Sequence, residues 1–596
     1  MLSTERYLLL YSKYAETEGS GKAIEVTLEQ LSDTLYCTVR NVKLILRKLE
    51  EEALIKWVGG RGRGNRSHMT FLMDKEQKLI ELAQQLARKE DYKIAFEMIE
   101  LYGEGTNVRN VFVKWLNDHF GFRTVQVEDM ALDILRLPVY KPILTLDPKE
   151  TYFAFCTHMI KQLFDCLVKY DRVTGKVVPA LAHAWEHDGE GKEWTFHLRK
   201  GILFHHGREL IADDVVYSLM RLHGSSPSGW FVRSIIQAEA VGIRTVKIEL
   251  AQSNWLFPRF LCSSGLSIVP HDLVEQDEQF WQHPVGTGPF QFMEWTENHF
   301  TMQAYPNYFQ GRAHLDRVVI VMMPEDTINY SKSWEQLLID HDLNEFQPNK
   351  DRQKIESISN GCSLITWNMR KKGPQQFASF RKAVDLLIDR TLMIQQLGED
   401  RILPARGFMP DTEASSWKDS CDVELATELL KSCNYEGESI RIGAFGIHEK
   451  DALWLKRHLA AFGINVEVQV ETPENIRDLK VIQNVDCFIY CVVFAEDEVC
   501  FIELYEQTRS FLREHLDPHI RDWVKETIDK ALACKSLEER WDYLMEIEKM
   551  LKDETYVLFL LHKKLNTFYY PNIRGVHVNS LGWIDFKDIW FEHSVG

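Results

Sequence analysis

From Thr38 to about Glu52 the chain spells a helix with two faces that one core cannot both cover. Val42, Ile45, Leu46 and Leu49 recur at the i, i+3, i+4, i+7 spacing of an apolar stripe, which has to pack against something. Arg40, Lys43 and Arg47 recur at i, i+3, i+7 on another face, with Asn41 beside them. Arginine and asparagine are the side chains that make paired hydrogen bonds to guanine and adenine edges. The first turn of a recognition helix, which Thr38 would start, is where such residues work.

The flanking segments agree with that reading. Ser3–Glu18 reads as a helix, and Gly19-Ser20-Gly21 breaks it. Thr27 and Gln30 have capping-box spacing at the start of a second helix, which ends near Tyr36-Cys37. After the basic helix come two short apolar strands, Ala53–Val58 and Met69–Met73, around a Gly/Arg tip, which is a hairpin pattern. Lys56 to Arg66 contains four basic residues and no acid. A flexible tip carrying Arg61, Arg63 and Arg66 suits phosphates or a narrow minor groove. Helix, helix, basic helix, basic hairpin is the order of a winged helix-turn-helix, expected over residues 1–75. Its candidate DNA contacts are Thr38, Arg40, Asn41, Lys43, Arg47, Arg61, Arg63 and Arg66, and its expected partner is double-stranded DNA. The charge distribution points the same way: residues 1–75 hold twelve basic and ten acidic side chains, whereas the whole chain carries -18. Contact with a polyanion must therefore be local.

At 596 residues the chain exceeds one ordinary core, and its 45% hydrophobic and 11% aromatic content is that of a packed globular protein. Interrupted helical periodicity over 76–137 predicts a helical connector. From about residue 138, short apolar strands alternate with helices and Gly/Pro turns, which implies an α/β architecture. Eleven cysteines, with no C-x-x-C pair, suit a reducing compartment. Glu5 and Arg6 precede only a short apolar run, unlike an export signal, and no apolar run nears the ~20 residues of a membrane helix. The expectation is a soluble, cytoplasmic protein. There is no G-x-S-x-G, no H-E-x-x-H and no carboxylate pair in a recognisable catalytic setting, so no enzyme is expected. Gly286-Thr287-Gly288 lacks the Lys-Ser/Thr ending of a phosphate loop. His205-His206 lacks a third metal ligand at useful spacing. Asp213 is expected to cap the helix that follows it. Neither metal nor cofactor is predicted.

A run of motifs from residue 163 onward, in one order, carries a resemblance: Leu163-Phe164-Asp165, Val178–Glu186, Trp194–Gly207, Ala212–Ser218, Pro284–Phe290, Asn307-Tyr308-Phe309, Phe380–Arg390 and Pro571–Val576. Together they resemble the oligopeptide/nickel-type extracellular solute-binding family. The resemblance implies a two-lobed α/β periplasmic-binding-protein-like fold (class II) over 138–596. Lobe one would span about 138–365 plus the C-terminus, and lobe two about 366–560. Phe494-Ala495-Glu496-Asp497 stands where the family often has an aromatic-Ala-Asp-Tyr-x-Asp-Pro run, so Glu496 is a candidate for the ligand's amine. Trp367, Asn368, Arg370 and Trp417 are further candidates for the ligand pocket. Lys371, Lys372, Arg401 and Arg406 are cations available to a phosphate.

Joined to the basic wing Gly60–Ser67 and the preceding Leu54-Ile55-Lys56-Trp57, the whole chain resembles the SgrR-type transcriptional regulators. That resemblance implies a DNA-binding regulator sensing a small-molecule effector: a sugar, a sugar phosphate or a peptide. The alternative is a solute-binding component of an ABC transport system.

Overall fold

The computed structural model describes residues 3–16, 19–60, 66–117, 120–127, 130–139, 143–150, 154–224, 226–323, 353–358, 361–398, 400–410, 421–472, 475, 478–494, 498–569, 573–575 and 585–592. The chain divides into two compact units. The first comprises Met1–Pro142 with Glu294–Thr301 and Arg317–Trp334, and the second holds the remainder. Among the described residues no helix is long and apolar enough to cross a membrane.

The first unit opens with α1 (Ser3–Tyr14), β1 (Ala23–Glu25), α2 (Leu28–Thr34), α3 (Val39–Glu51), β2 (Ile55–Val58) and β3 (His68–Phe71). Both capping-box bonds form at α2: the Thr27 side chain accepts from the Gln30 N–H, and the Gln30 side chain accepts from the Thr27 N–H. β2 and β3 pair antiparallel from Ile55↔Phe71 to Val58↔His68. β1, which the sequence reading passed over, adds to the far side of β3 and makes a three-stranded sheet. Phe71 sits where sheet meets helix, with ring centroids 5.5 Å from Tyr7 and 4.9 Å from Tyr11 of α1. Val42, Ile45, Leu46 and Leu49 of α3 are all buried, as their spacing required.

Three more helices follow: α4 (Lys75–Arg88), α5 (Tyr92–Tyr102) and α6 (Val108–Asn117). The helical connector expected through residue 137 stops there, which is a correction. Gly121–Val127 (β4) and Met130–Val139 (β5) form an antiparallel hairpin. β5 then pairs in parallel with Arg317–Met322, nearly two hundred residues later. Pairing that distant leaves no trace in local periodicity.

Beside the two-stranded pairs Val168–Asp171 with Lys176–Pro179 and Ile573–Arg574 with Trp590–Phe591, the second unit is built on two larger sheets. One is antiparallel, in the order Ile235–Gly242, Thr245–Leu250, Glu193–Leu198, Ala182–His187. The other is mixed and seven-stranded. In its centre Gly361–Trp367 lies antiparallel to Cys487–Val493, which runs parallel to Ile440–Phe445. Every residue of Gly361–Trp367 is buried. Its side chains divide between two apolar clusters by simple alternation: Cys362 and Leu364 join one, Ile365 and Trp367 the other. A strand covered on both faces is rich in apolar residues; this one interrupts them with Ser363 and Thr366, both fully buried.

The first of those clusters also takes in Trp194, Phe196, Val246 and Ile248 of the antiparallel sheet and Ile502, Leu512, Ile528 and Leu544 of the helices after residue 498. The expected boundary between lobes near residue 365 is therefore crossed by one continuous apolar core.

Candidate DNA-reading face and solute-binding module

The helix pair α2–α3 is set by its turn. The N–H of Cys37 donates to the carbonyl of Ser32 at 3.1 Å, and that of Tyr36 to Asp33 at 3.4 Å. This closure needs a left-handed residue between the helices, usually glycine. Here it is Tyr36, at φ 49, with 92% of its surface exposed. Thr38 then caps α3, its hydroxyl accepting from the Asn41 N–H at 3.4 Å. With the apolar stripe turned inward, Thr38, Arg40, Asn41, Lys43 and Arg47 are all exposed. Arg47 is 2.8 Å from Glu51 one turn on, both widely open to solvent. A pair that open is held by about 0.3–0.5 kcal/mol, so a phosphate or base could displace Glu51 readily.

The hairpin is tied to α3 by the Trp57 N–H, which donates to the Glu50 carboxylate at 2.7 Å. At its tip the Gly60 N–H donates to the Ser67 hydroxyl at 3.1 Å. Arg66 lies on the exposed side, paired with Glu25 of β1. Arg61 and Arg63 lie outside the described residues. Two exposed large apolar side chains of the α2–α3 pair escaped the sequence reading. One is Tyr36; the other is Leu44, 59% exposed and one turn after Arg40. A positional cue existed for Leu44, which falls outside the apolar stripe.

In the second unit the predicted ligand residues meet a different fate. Trp367 is 2% exposed and packs edge-on against Phe380, with centroids 5.9 Å apart. Asn368 is 1% exposed, and its amide donates to the carbonyls of Gln483 at 3.0 Å and Val485 at 2.9 Å. Its oxygen accepts from the Arg370 N–H at 3.0 Å. Both are placed as parts of the core and not as lining of an open pocket. Arg370 remains partly exposed, 3.6 Å from Glu514. Trp417 and Glu496 lie outside the described residues. Two cations set aside for a phosphate are already engaged: Lys371 is 2.7 Å from Asp486, and buried Arg401 is 2.7 Å from Asp451.

The motifs behind the resemblance turn out to be parts of one another's support. Asp165 accepts from the Tyr308 hydroxyl at 2.9 Å and the Thr287 hydroxyl at 3.0 Å, which joins three separate motifs. Burial pushes its carboxyl up to about 7. Gly286 and Gly288 lie against the backbone of Leu163, where an added Cβ would stand 1.9 Å and 2.5 Å from main-chain atoms. His205 is held by the same turn: Nδ1 accepts from the Gly286 N–H at 3.1 Å and Nε2 faces the Gly288 carbonyl at 3.0 Å. Burial lowers its pKa to about 4, so it is neutral, with both ring nitrogens engaged. Arg381 and Arg390, from another motif, are buried; Arg381 donates to four backbone carbonyls and Arg390 to that of Phe559 at 2.7 Å.

The cap expected from Asp213 is supplied by its neighbour. Asp214 accepts from the Ile211 N–H at 3.0 Å and from Arg208 and His271 as well. Among the described residues Asp214, His271 and Asp272 form the one cluster with metal-ligand spacing. The Arg208 guanidinium, 2.7 Å from Asp214 and 2.8 Å from Asp272, already supplies the positive charge there.

Across the expected lobe boundary the second unit is also stitched by polar contacts. Arg233 reaches Glu506 at 3.1 Å and Asp529 at 2.5 Å. The Trp255 N–H donates to the Leu532 carbonyl at 2.9 Å, and the Lys535 ammonium sits 4.3 Å from the Trp255 ring centroid.

Two family models match the chain. One, described as the sugar transport-related sRNA regulator N-terminal domain, covers residues 3–121. The other, bacterial extracellular solute-binding proteins, family 5, covers residues 176–490. An uncharacterized Bacillus subtilis protein, YhjP, is 30% identical over 578 residues, 96% of each chain. The HTH-type transcriptional regulator SgrR of Yersinia enterocolitica is 27% identical over 599 residues, 98% of each. Among solved structures, the dipeptide binding protein of Pseudoalteromonas sp. SM9913, in complex with Met-Leu, aligns with 77% of this chain and all of its own at TM-score 0.66 and 20% identity. The Escherichia coli murein tripeptide binding protein MppA aligns with 79% of this chain and all of its own at TM-score 0.65 and 19% identity. At those identities the likeness shows the fold, which is that of a periplasmic binding protein.

Proposed function

This chain belongs to the bacterial extracellular solute-binding proteins of family 5, in the form that carries an SgrR-type N-terminal domain, and from that membership we propose a DNA-binding transcriptional regulator controlled by a small solute. The observation that carries the reading is the outer face of α3, where Arg40, Asn41, Lys43 and Arg47 stand exposed on a helix whose other face is fully committed to the core. Arg40 and Asn41 read base edges in the major groove, Lys43 and Arg47 position the helix, and Arg66, with Arg61 and Arg63, holds phosphates or the minor groove. A transport component would account for the large module and leave this face without a task. The regulator works in the cytoplasm, where the DNA is.

The solute is a sugar, a sugar phosphate or a peptide, received by the second unit, with Arg370, Lys372 and Arg406 as described candidates that combine charge with exposure. Solute binding shifts the population of conformations that fit the operator. Coupling of this kind is typically ~1–3 kcal/mol and reciprocal, so DNA must change solute affinity by the same factor.

The test is a salt-resolved DNA-binding titration on the region upstream of the protein's own gene, comparing wild type with Arg61, Arg63 and Arg66 all changed to Ala. Selective binding that weakens in the variant with a shallower salt dependence supports the reading. Equal affinity for that duplex and for unrelated DNA in both proteins rejects it.

A further inference from the structure

The outward pole of α3 is not wholly polar. The buried stripe of Val42, Ile45, Leu46 and Leu49 fixes the opposite side as the outward one, and at 100° per residue Arg40, Leu44 and Arg47 fall along its centre. Leu44 is 59% exposed, with Arg40, Asn41, Lys43, Arg47 and Lys48 as its exposed sequence neighbours. A lone exposed leucine is ordinary on a protein surface. This one occupies the centre of the face that the proposed function lays into the major groove.

A leucine there can neither donate nor accept a hydrogen bond. The major-groove edges of the four base pairs present donors, acceptors and one apolar group, the 5-methyl of thymine. Against any other edge, Leu44 would strip water from a polar atom and return nothing. We propose that Leu44 reads thymine through its 5-methyl group and so sets a base preference that its cationic neighbours cannot. The proposal rests on the DNA-reading function above. Cytosine, which lacks the methyl and presents an N4 donor, is the base it rejects. Arg40, four residues earlier, stands ~6 Å away along the helix axis, so the guanine it favours lies within about two base-pair steps of that thymine.

The experiment selects binding duplexes from a randomised library with the full-length protein. It then replaces each thymine of the selected duplex, one at a time, by deoxyuridine, which keeps every hydrogen-bonding group and loses only the methyl. Wild type and Leu44→Ala are titrated side by side. Alanine is a better helix former than leucine at an exposed position, so α3 is expected to persist, and the circular dichroism melt confirms it. At one thymine, deoxyuridine should weaken wild type about fourfold, the worth of one buried methyl group. Leu44→Ala should bind the thymine duplex more weakly by a similar factor and no longer distinguish the two bases there.

If deoxyuridine changes nothing at any position, or changes both proteins equally, the role given to Leu44 is wrong while the DNA-reading function stands. A selected sequence without thymine overturns the proposal in the same way. Enrichment of no sequence by wild type removes the DNA-reading function itself, and the Leu44 assignment with it.

Discussion

Helix α3 and the helix Ala378–Leu387 each carry arginine on an amphipathic frame, and the molecule uses the two in opposite ways. Arg47 has 79% of its side chain in solvent and one exposed partner, whereas Arg381 is 2% exposed and holds carbonyls from two segments, Gln375-Gln376 and Glu554-Thr555. The local patterns are alike, and what lies opposite decides. Nothing among the described residues covers the outer face of α3, so its cations stay available for a ligand. A helix end abuts Arg381, so its guanidinium satisfies four backbone carbonyls that would otherwise be orphaned. An arginine in a motif is thus evidence of recognition only where the surface beyond it is open.

The sharpest break in this comparison is Arg381→Ala. Removing the guanidinium leaves several buried carbonyls without donors, and thermal or denaturant unfolding should show a loss of about 3–5 kcal/mol in the second unit, comparable to breaking a buried charged network. A loss below 1 kcal/mol would mean that water replaces the arginine and that its burial is incidental.

Acid should separate the units next. His515 is fully buried, with its ring against the Thr366 hydroxyl at 2.9 Å and the Ile482 carbonyl at 3.0 Å, and burial lowers its pKa to about 4. The unfolded chain therefore binds the proton first as pH falls, so the stabilisation is complete above about 6.5 and drains away toward 4, on the order of 3 kcal/mol. Glu514, the charged group that acts on this ring, opposes the shift only in part. The stability advantage of wild type over His515→Asn should shrink across that window, and a constant advantage from pH 7 to 4 would contradict it.

Arg40→Ala turns the comparison round. Its side chain supports no core, so the melting curve should move by no more than ~0.5 kcal/mol. DNA affinity should fall by about 1–3 kcal/mol, read as a rise of about fivefold to 150-fold in dissociation constant. A destabilised variant with unchanged DNA affinity would place Arg40 with Arg381 instead.

The smallest effect is the most diagnostic. Tyr36 holds a left-handed conformation that glycine adopts freely, so Tyr36→Gly should stabilise the first unit by about 1 kcal/mol. If the exposed ring contacts DNA, affinity drops in the same variant. Opposite signs on stability and binding mark a residue kept for function. A gain in stability with no loss of binding would leave the strain without a purpose.

Much of the first unit was readable along the chain. The α3 stripe, the Thr27–Gln30 box and the hairpin depend on neighbours within a few residues, and each formed where the spacing placed it. β4 and β5 were misread as helical connector because β5 finds its parallel partner at Arg317–Met322, a choice local pattern does not encode. β1 was missed because three residues, Ala-Ile-Glu, carry no alternation to recognise.

For the second unit, motif order was enough to recognise the family and its fold, but not the duties of individual residues. Trp367 and Asn368 looked like ligand-facing groups; their burial follows from Phe380 and from carbonyls at Gln483 and Val485, more than a hundred residues away. Spacing within a helix or hairpin is a short-range property, so the chain alone establishes which face of α3 must be covered and which kinds of side chain remain. Whether Arg381, His205 or Asp165 binds a ligand or braces the fold is settled only when distant segments bring carbonyls and hydroxyls within hydrogen-bonding reach, because a polar side chain takes its role from the partner that replaces water around it.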